Sequence, residues 1–117
     1  MPTQNYTFQQ LFGAQGEGTS SINLTSGTPY TFTITNNSGS SYFTMETIND
    51  YTNNTPRNTS GSLTTITNVA SYNQSDYIAG FSLPTGTNSF IFTPAISVVG
   101  STLKFRGVGG ITLSLTY

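Results

Sequence analysis

The sequence predicts an all-β protein: an antiparallel β-sandwich of about eight short strands, of jelly-roll or related Greek-key type, with an immunoglobulin-like sandwich as the alternative. Three observations carry this expectation. Apolar and polar residues alternate with period two in segment after segment, and no 3.6-residue pattern interrupts them. Turn residues recur between these segments about every ten positions, the spacing of sandwiches and barrels. Aromatics reach 13% and Ser plus Thr close to a third of the chain, an enrichment suited to pleated, half-buried surfaces. The immunoglobulin alternative has to manage without the buried Trp and the Cys pair of true immunoglobulin domains, because the chain contains neither residue. No internal repeat suggests a solenoid.

Residues 1–18 are read as an N-terminal arm or edge strand, and residues 19–117 as the sandwich domain. Tyr6, Phe8, Leu11 and Phe12 give the first segment its aromatic and aliphatic groups, and Gly13 to Gly18 reads as a joint. In one reading this is a first strand plus a loop. In the other, those four side chains anchor an arm on a neighbouring subunit, strand exchange being an inexpensive route to oligomers. Ser20 to Leu24 and Tyr30 to Thr35 form an expected hairpin with Tyr30, Phe32 and Ile34 inward, Pro29 standing where its missing N–H does least harm.

Asn36 to Ser40 is a turn by composition. Ser41 to Ile48 is a strand with Phe43 and Met45 on one side and Tyr42, Thr44 and Glu46 on the other, both sides partly covered. Asn49 to Gly61 is a polar loop longer than a connection requires, and long loops on rigid β scaffolds are where recognition usually sits. Ser62 to Val69 is a weaker strand. A second polar loop carrying Tyr72 follows, and then strands over Asp76 to Leu83 and Ser89 to Thr93 separated by the turn Pro84 to Asn88. Ser101 to Tyr117 reads as a closing hairpin, with Phe105 opposite Ile111, Leu103 opposite Leu113, and Gly107-Val108-Gly109 as its loop. Alternation places Phe32, Ile34, Phe81, Phe90, Phe105, Leu113 and Leu115 in the core.

Only 6% of residues are charged, with net charge -1, against about 25% in an ordinary soluble domain. The exterior is therefore Thr, Ser, Asn, Gln and Gly, and little charge repulsion protects it from association. A homo-oligomer or a place in a larger assembly is expected. Three basic residues cannot form the stripe that phosphate neutralisation needs, so nucleic acid is not an expected partner. The longest apolar runs fall far short of the roughly 18 residues of a membrane span. The N-terminal sequence MPTQNYTFQQLF lacks the features of a secretory signal, which predicts synthesis in a host cytoplasm, and the absence of Cys agrees.

The chain has no His and no Cys, which rules out triads and imidazole or thiolate metal sites, and no cofactor or metal is expected. A Ser-Lys pair would need Lys104, which alternation puts on a solvent face. Of the acids Glu17, Glu46, Asp50 and Asp76, the pair Glu46 and Asp50 is the nearest candidate for two-carboxylate chemistry or, with Asn49, Asn53 and Asn54, for calcium ligation. Solubility and Asx turns account for these residues more simply. A candidate recognition loop contains Tyr51, Asn53, Asn54, Arg57 and Tyr72, whose phenol rings and amides suit a surface glycan.

The whole chain resembles the small β-sandwich structural proteins of bacteriophage virions, such as capsid decoration proteins and the knob domains of head or tail fibres. The resemblance is carried by the Thr/Asn/Ser/Gly-rich strands, the signal-free start and the lack of catalytic residue types; no motif transfers a functional residue. It implies a non-enzymatic virion protein bound to a viral capsid or another virion part. The alternatives are a carbohydrate-binding or adhesin-type module and, third, a minimal two-carboxylate enzyme.

Overall fold

The structure is a computed structural model that describes residues 3–7, 15–37, 41–47, 61–71, 78–108 and 111–117. Ten strands follow in chain order: β1 (Thr3–Thr7), β2 (Gln15–Thr19), β3 (Tyr30–Asn36), β4 (Ser41–Thr47), β5 (Gly61–Thr67), β6 (Ala70–Ser71), β7 (Ala79–Leu83), β8 (Gly86–Pro94), β9 (Leu103–Val108) and β10 (Ile111–Thr116). They form two five-stranded sheets in the orders β1-β10-β3-β8-β5 (sheet A) and β2-β9-β4-β7-β6 (sheet B), with every pairing antiparallel.

Without β5 and β6 the orders are β1-β10-β3-β8 and β2-β9-β4-β7, so early and late strands interleave in both sheets. This is the jelly roll, eight strands wound as two Greek keys. β5 and β6 add one strand to the same side of each sheet. The immunoglobulin-like alternative falls, because consecutive strands here lie in opposite sheets rather than side by side. Among the described strands, every connection except β6 to β7 passes from one sheet to the other.

The alternation seen in sequence becomes the core. All of Phe32, Ile34, Phe81, Phe90, Phe105, Leu113 and Leu115 are at most 1% exposed, and Tyr30, Phe43, Met45, Ala79, Leu83, Phe92, Leu103 and Ile111 join them between the sheets. An aromatic stack crosses the interior. Phe90 of sheet A lies 4.9 Å from Phe32, nearly parallel, and 4.9 Å from Phe81 of the opposite sheet. Offset and tilted aromatic pairs of this kind add about 0.5–1.5 kcal/mol each beyond their burial.

Two expected hairpins are not hairpins. β9 pairs with β2 and β4, whereas β10 pairs with β1 and β3, so Phe105 and Ile111 belong to opposite sheets instead of one ladder. Ser20 to Leu24 is not a strand at all, and its one bridge is Leu24 to Val98. The reason is local: the Ser20 hydroxyl donates to the Ile22 carbonyl at 2.7 Å and accepts from its N–H at 3.2 Å, a side-chain turn that takes the groups a ladder would use. Asn23 instead accepts from the Gly100 N–H at 2.8 Å, and a Cβ on Gly100 would run into the Ile22 carbonyl. The glycine joint is likewise corrected, since Gln15–Thr19 pairs in regular register with β9.

Asn36 and Asn88 were expected in turns, but both are fully buried, on the core side of β3 and β8. The Asn88 amide donates to the carbonyls of Pro84 (3.1 Å), Gly86 (3.2 Å) and Ile34 (3.3 Å), and that of Asn36 to the carbonyl of Leu83 (3.0 Å). Together they tie down the corner where the chain leaves β7 for β8. Replacing Asn88 by Ala should cost about 1–3 kcal/mol, the penalty for leaving buried carbonyls without a donor. Urea unfolding monitored by circular dichroism measures it; a loss under about 0.5 kcal/mol would mean that the corner holds without the amide.

Candidate functional site

The candidate recognition residues Tyr51, Asn53, Asn54, Arg57 and Tyr72 lie outside the described residues, as do Phe8, Leu11 and Phe12 of the candidate arm. Tyr6 stands in β1, opposite Leu113 of β10. β1 therefore takes the outermost place in sheet A, among the described residues, while β2 takes the outermost place in sheet B.

What the structure brings together is a pair of unlike outer faces. On sheet A the registers line up hydroxyl-bearing residues in rungs across the strands. One rung runs Thr3, Thr116, Thr31 and, past the apolar Ile91, Thr64; another runs Thr7, Thr112, Thr35, Thr87. The Thr3 and Thr116 hydroxyls are 3.5 Å apart. Threonine belongs here physically, because its branched Cβ suits the pleat and neighbouring Thr pairs support one another across strands. No strand of sheet A contains a charged residue.

Sheet B holds the charge. Of the seven charged residues in the chain, Glu17, Glu46, Lys104 and Arg106 all occupy its strands, in registers that set Glu17 and Thr44 beside Arg106, and Thr19 and Glu46 beside Lys104. Asp50, Arg57 and Asp76 lie outside the described residues. Glu46 points away from the Phe43 and Met45 side of β4, yet it is 0% exposed and pairs with the Arg106 guanidinium at 2.5 Å. Lys104 donates to the Thr19 hydroxyl at 2.8 Å. The expectation that both sides of β4 are covered holds here, with Thr44 also buried.

Chemically this arrangement is a buried ion pair. The Glu46 carboxylate is committed to Arg106 and shut from solvent, so it is not presented as a general acid, and its partner in the two-carboxylate reading, Asp50, lies outside the described residues. Among the described residues no group of three or more His, Cys, Asp or Glu could hold a metal ion, and no helix is long and apolar enough to cross a membrane.

Sequence reasoning did not find the Glu46–Arg106 pair or the charge-free sheet. The pair becomes visible only once β4 and β9 are known to be neighbours, because sixty positions separate the two residues, from 46 to 106. The charge segregation had a weak signal: the strands predicted over 30–35, 89–93 and 111–117 contain no charged residue at all. Comparison with protein-family models, with curated proteins and with solved structures matches this chain to none of them.

Proposed function

We propose that this chain is a non-enzymatic structural protein of a bacteriophage virion, of the capsid decoration or fibre-knob kind, which binds a symmetric protein shell in many copies. The observation that carries the reading is the charge-free outer face of sheet A, five strands wide and dominated by Thr and Ser. Such a face meets another protein without stripping water from an ion, the costliest desolvation of all. Each hydroxyl contributes a hydrogen bond worth about 0.5–1.5 kcal/mol net, and repetition over a symmetric surface turns weak single contacts into firm attachment. Jelly rolls recur in viral capsid and lectin domains, which supports the class by analogy of fold and assigns no residue a role.

The test uses particles of the virus that encodes the chain. Gradient-purified particles are expected to carry the protein at a fixed copy number and, once stripped of it, to rebind the purified protein saturably. Particles without it, or saturable binding to glycans and none to particles, would overturn the proposal in favour of a recognition module.

A further inference from the structure

Each sheet of a sandwich ends in strands whose outward N–H and C=O groups have no ladder partner, and proteins usually block such edges with charge, bulges, proline or brevity. The edges of this fold are treated unequally. β5, at one end of sheet A, carries a register shift between Thr64 and Thr67, with Thr65 in the left-handed region at φ 51° and Asn68 just beyond the strand at φ 68°. β6 at the matching end of sheet B is two residues long. β2 has the sequence QGEGT, in which Glu17 supplies a charge and two glycines weaken the strand.

β1 has none of these devices. Its five residues, TQNYT, include no charge, no proline and no glycine, and they follow β10 without a shift from Thr3 opposite Thr116 to Thr7 opposite Thr112.

We infer that the outer edge of β1, which has no ladder partner among the described residues, is the contact between two copies of this chain, paired antiparallel about a two-fold axis at Asn5. That occupant follows from the strand itself. About Asn5 the sequence is self-complementary in the sense an isologous contact requires: Thr3 meets Thr7, Gln4 meets Tyr6, and no like charges oppose. A second copy brings the same unblocked edge, and the net charge of -1 offers little repulsion. The pairing joins two A sheets into one of ten strands and continues the charge-free face across both copies. This deepens the reading of the chain as a repeated structural subunit, and it rests on that reading for the expectation that copies meet. A five-residue edge buries little area, so the isolated dimer is weak and gains strength from repetition.

Sedimentation equilibrium on the full chain is the test. The mass is expected to rise from the 12.5 kDa of one chain towards twice that value as concentration approaches about 1 mM, the weak end of specific association. Asn5→Lys and Asn5→Glu are each expected to stay monomeric, by placing like charges opposite each other, and an equimolar mixture of the two to recover the dimer. Thr64→Lys, on the bulged edge, should leave dimerisation unchanged. Should the Asn5 variants fail to fold, hydrogen exchange on the unaltered chain decides instead: concentration-dependent protection confined to amides 3–7 supports the contact, and its appearance at another edge, or nowhere, overturns it. So does a monomer at every concentration. A monomer that still binds particles ends this inference and leaves the structural role standing, whereas a β1-paired dimer that binds no particle does the reverse.

Discussion

Replacing Phe90 by alanine is expected to remove roughly 3–5 kcal/mol of stability, the upper range for truncating a buried aromatic. Phe90 is fully buried on β8 and is the ring at which the two sheets meet: Phe32 stacks on it within sheet A, and Phe43 and Phe81 approach it from sheet B at 6.1 and 4.9 Å. Its loss leaves a cavity and breaks three ring contacts at once, in a position where neither sheet can close the gap without shifting its ladders. Domains of this size have about 5–15 kcal/mol in all, so the variant should unfold well below the parent temperature. Urea titration of the parent, Phe90→Leu and Phe90→Ala gives the comparison. Leucine should recover more than half of the loss; an alanine variant within about 1 kcal/mol of the parent would show that the rings do not carry the contact between the sheets.

Arg106→Ala is expected to be nearly as damaging, at about 3–5 kcal/mol, for an electrostatic reason. Glu46 is fully buried and Arg106 is 19% exposed, so removing the guanidinium takes a close cation from a carboxylate held away from water, which is far more costly than losing an exposed ion pair. The control is to remove both charges. Glu46→Leu combined with Arg106→Met should restore most of the stability, because two apolar groups of similar size carry no desolvation penalty. An Arg106→Ala variant that melts with the parent would instead mean that water reaches the pair.

These two residues also mark what the sequence could and could not disclose. Phe90 was legible, because a strand with one face against a core repeats every second residue, and all the side chains assigned inward on that basis are inward. The same periodicity is blind to the partner of a strand. Leu103 and Phe105 alternate with polar residues whether β9 folds back on β10 in one ladder or faces it across the interior, and Gly107 and Val108, expected in a hairpin loop, are instead the last residues of β9 and pair with β2. The jelly roll takes the second course at almost every turn, so hairpins inferred from proximity in sequence were wrong even where the strands were right. Asn36 and Asn88 were misplaced for a related reason: asparagine is the usual currency of turns, and only the carbonyls of the β7 to β8 corner make it useful inside. The loop candidates Tyr51, Asn53, Asn54, Arg57 and Tyr72 rested on composition alone, and they lie outside the described residues.

The interleaved order of sheet A governs when this protein can begin to exist as a folded body. A ribosome releases β1 first, but β1 pairs with β10, and β3 needs β10 on one side and β8 on the other. Among the described strands, β6 and β7 are the only neighbours in sequence that share a sheet, and their described ladder spans two residues. Sheet A therefore stays incomplete until residues 111–116 have emerged, because β10 fills the place between β1 and β3. Folding is dominated by pairings between strands distant in sequence, the slow end of the range for small domains. Chains that terminate before residue 111 lack the strand that joins β1 to β3, so they are expected to expose open strand edges and pass to proteases or chaperones.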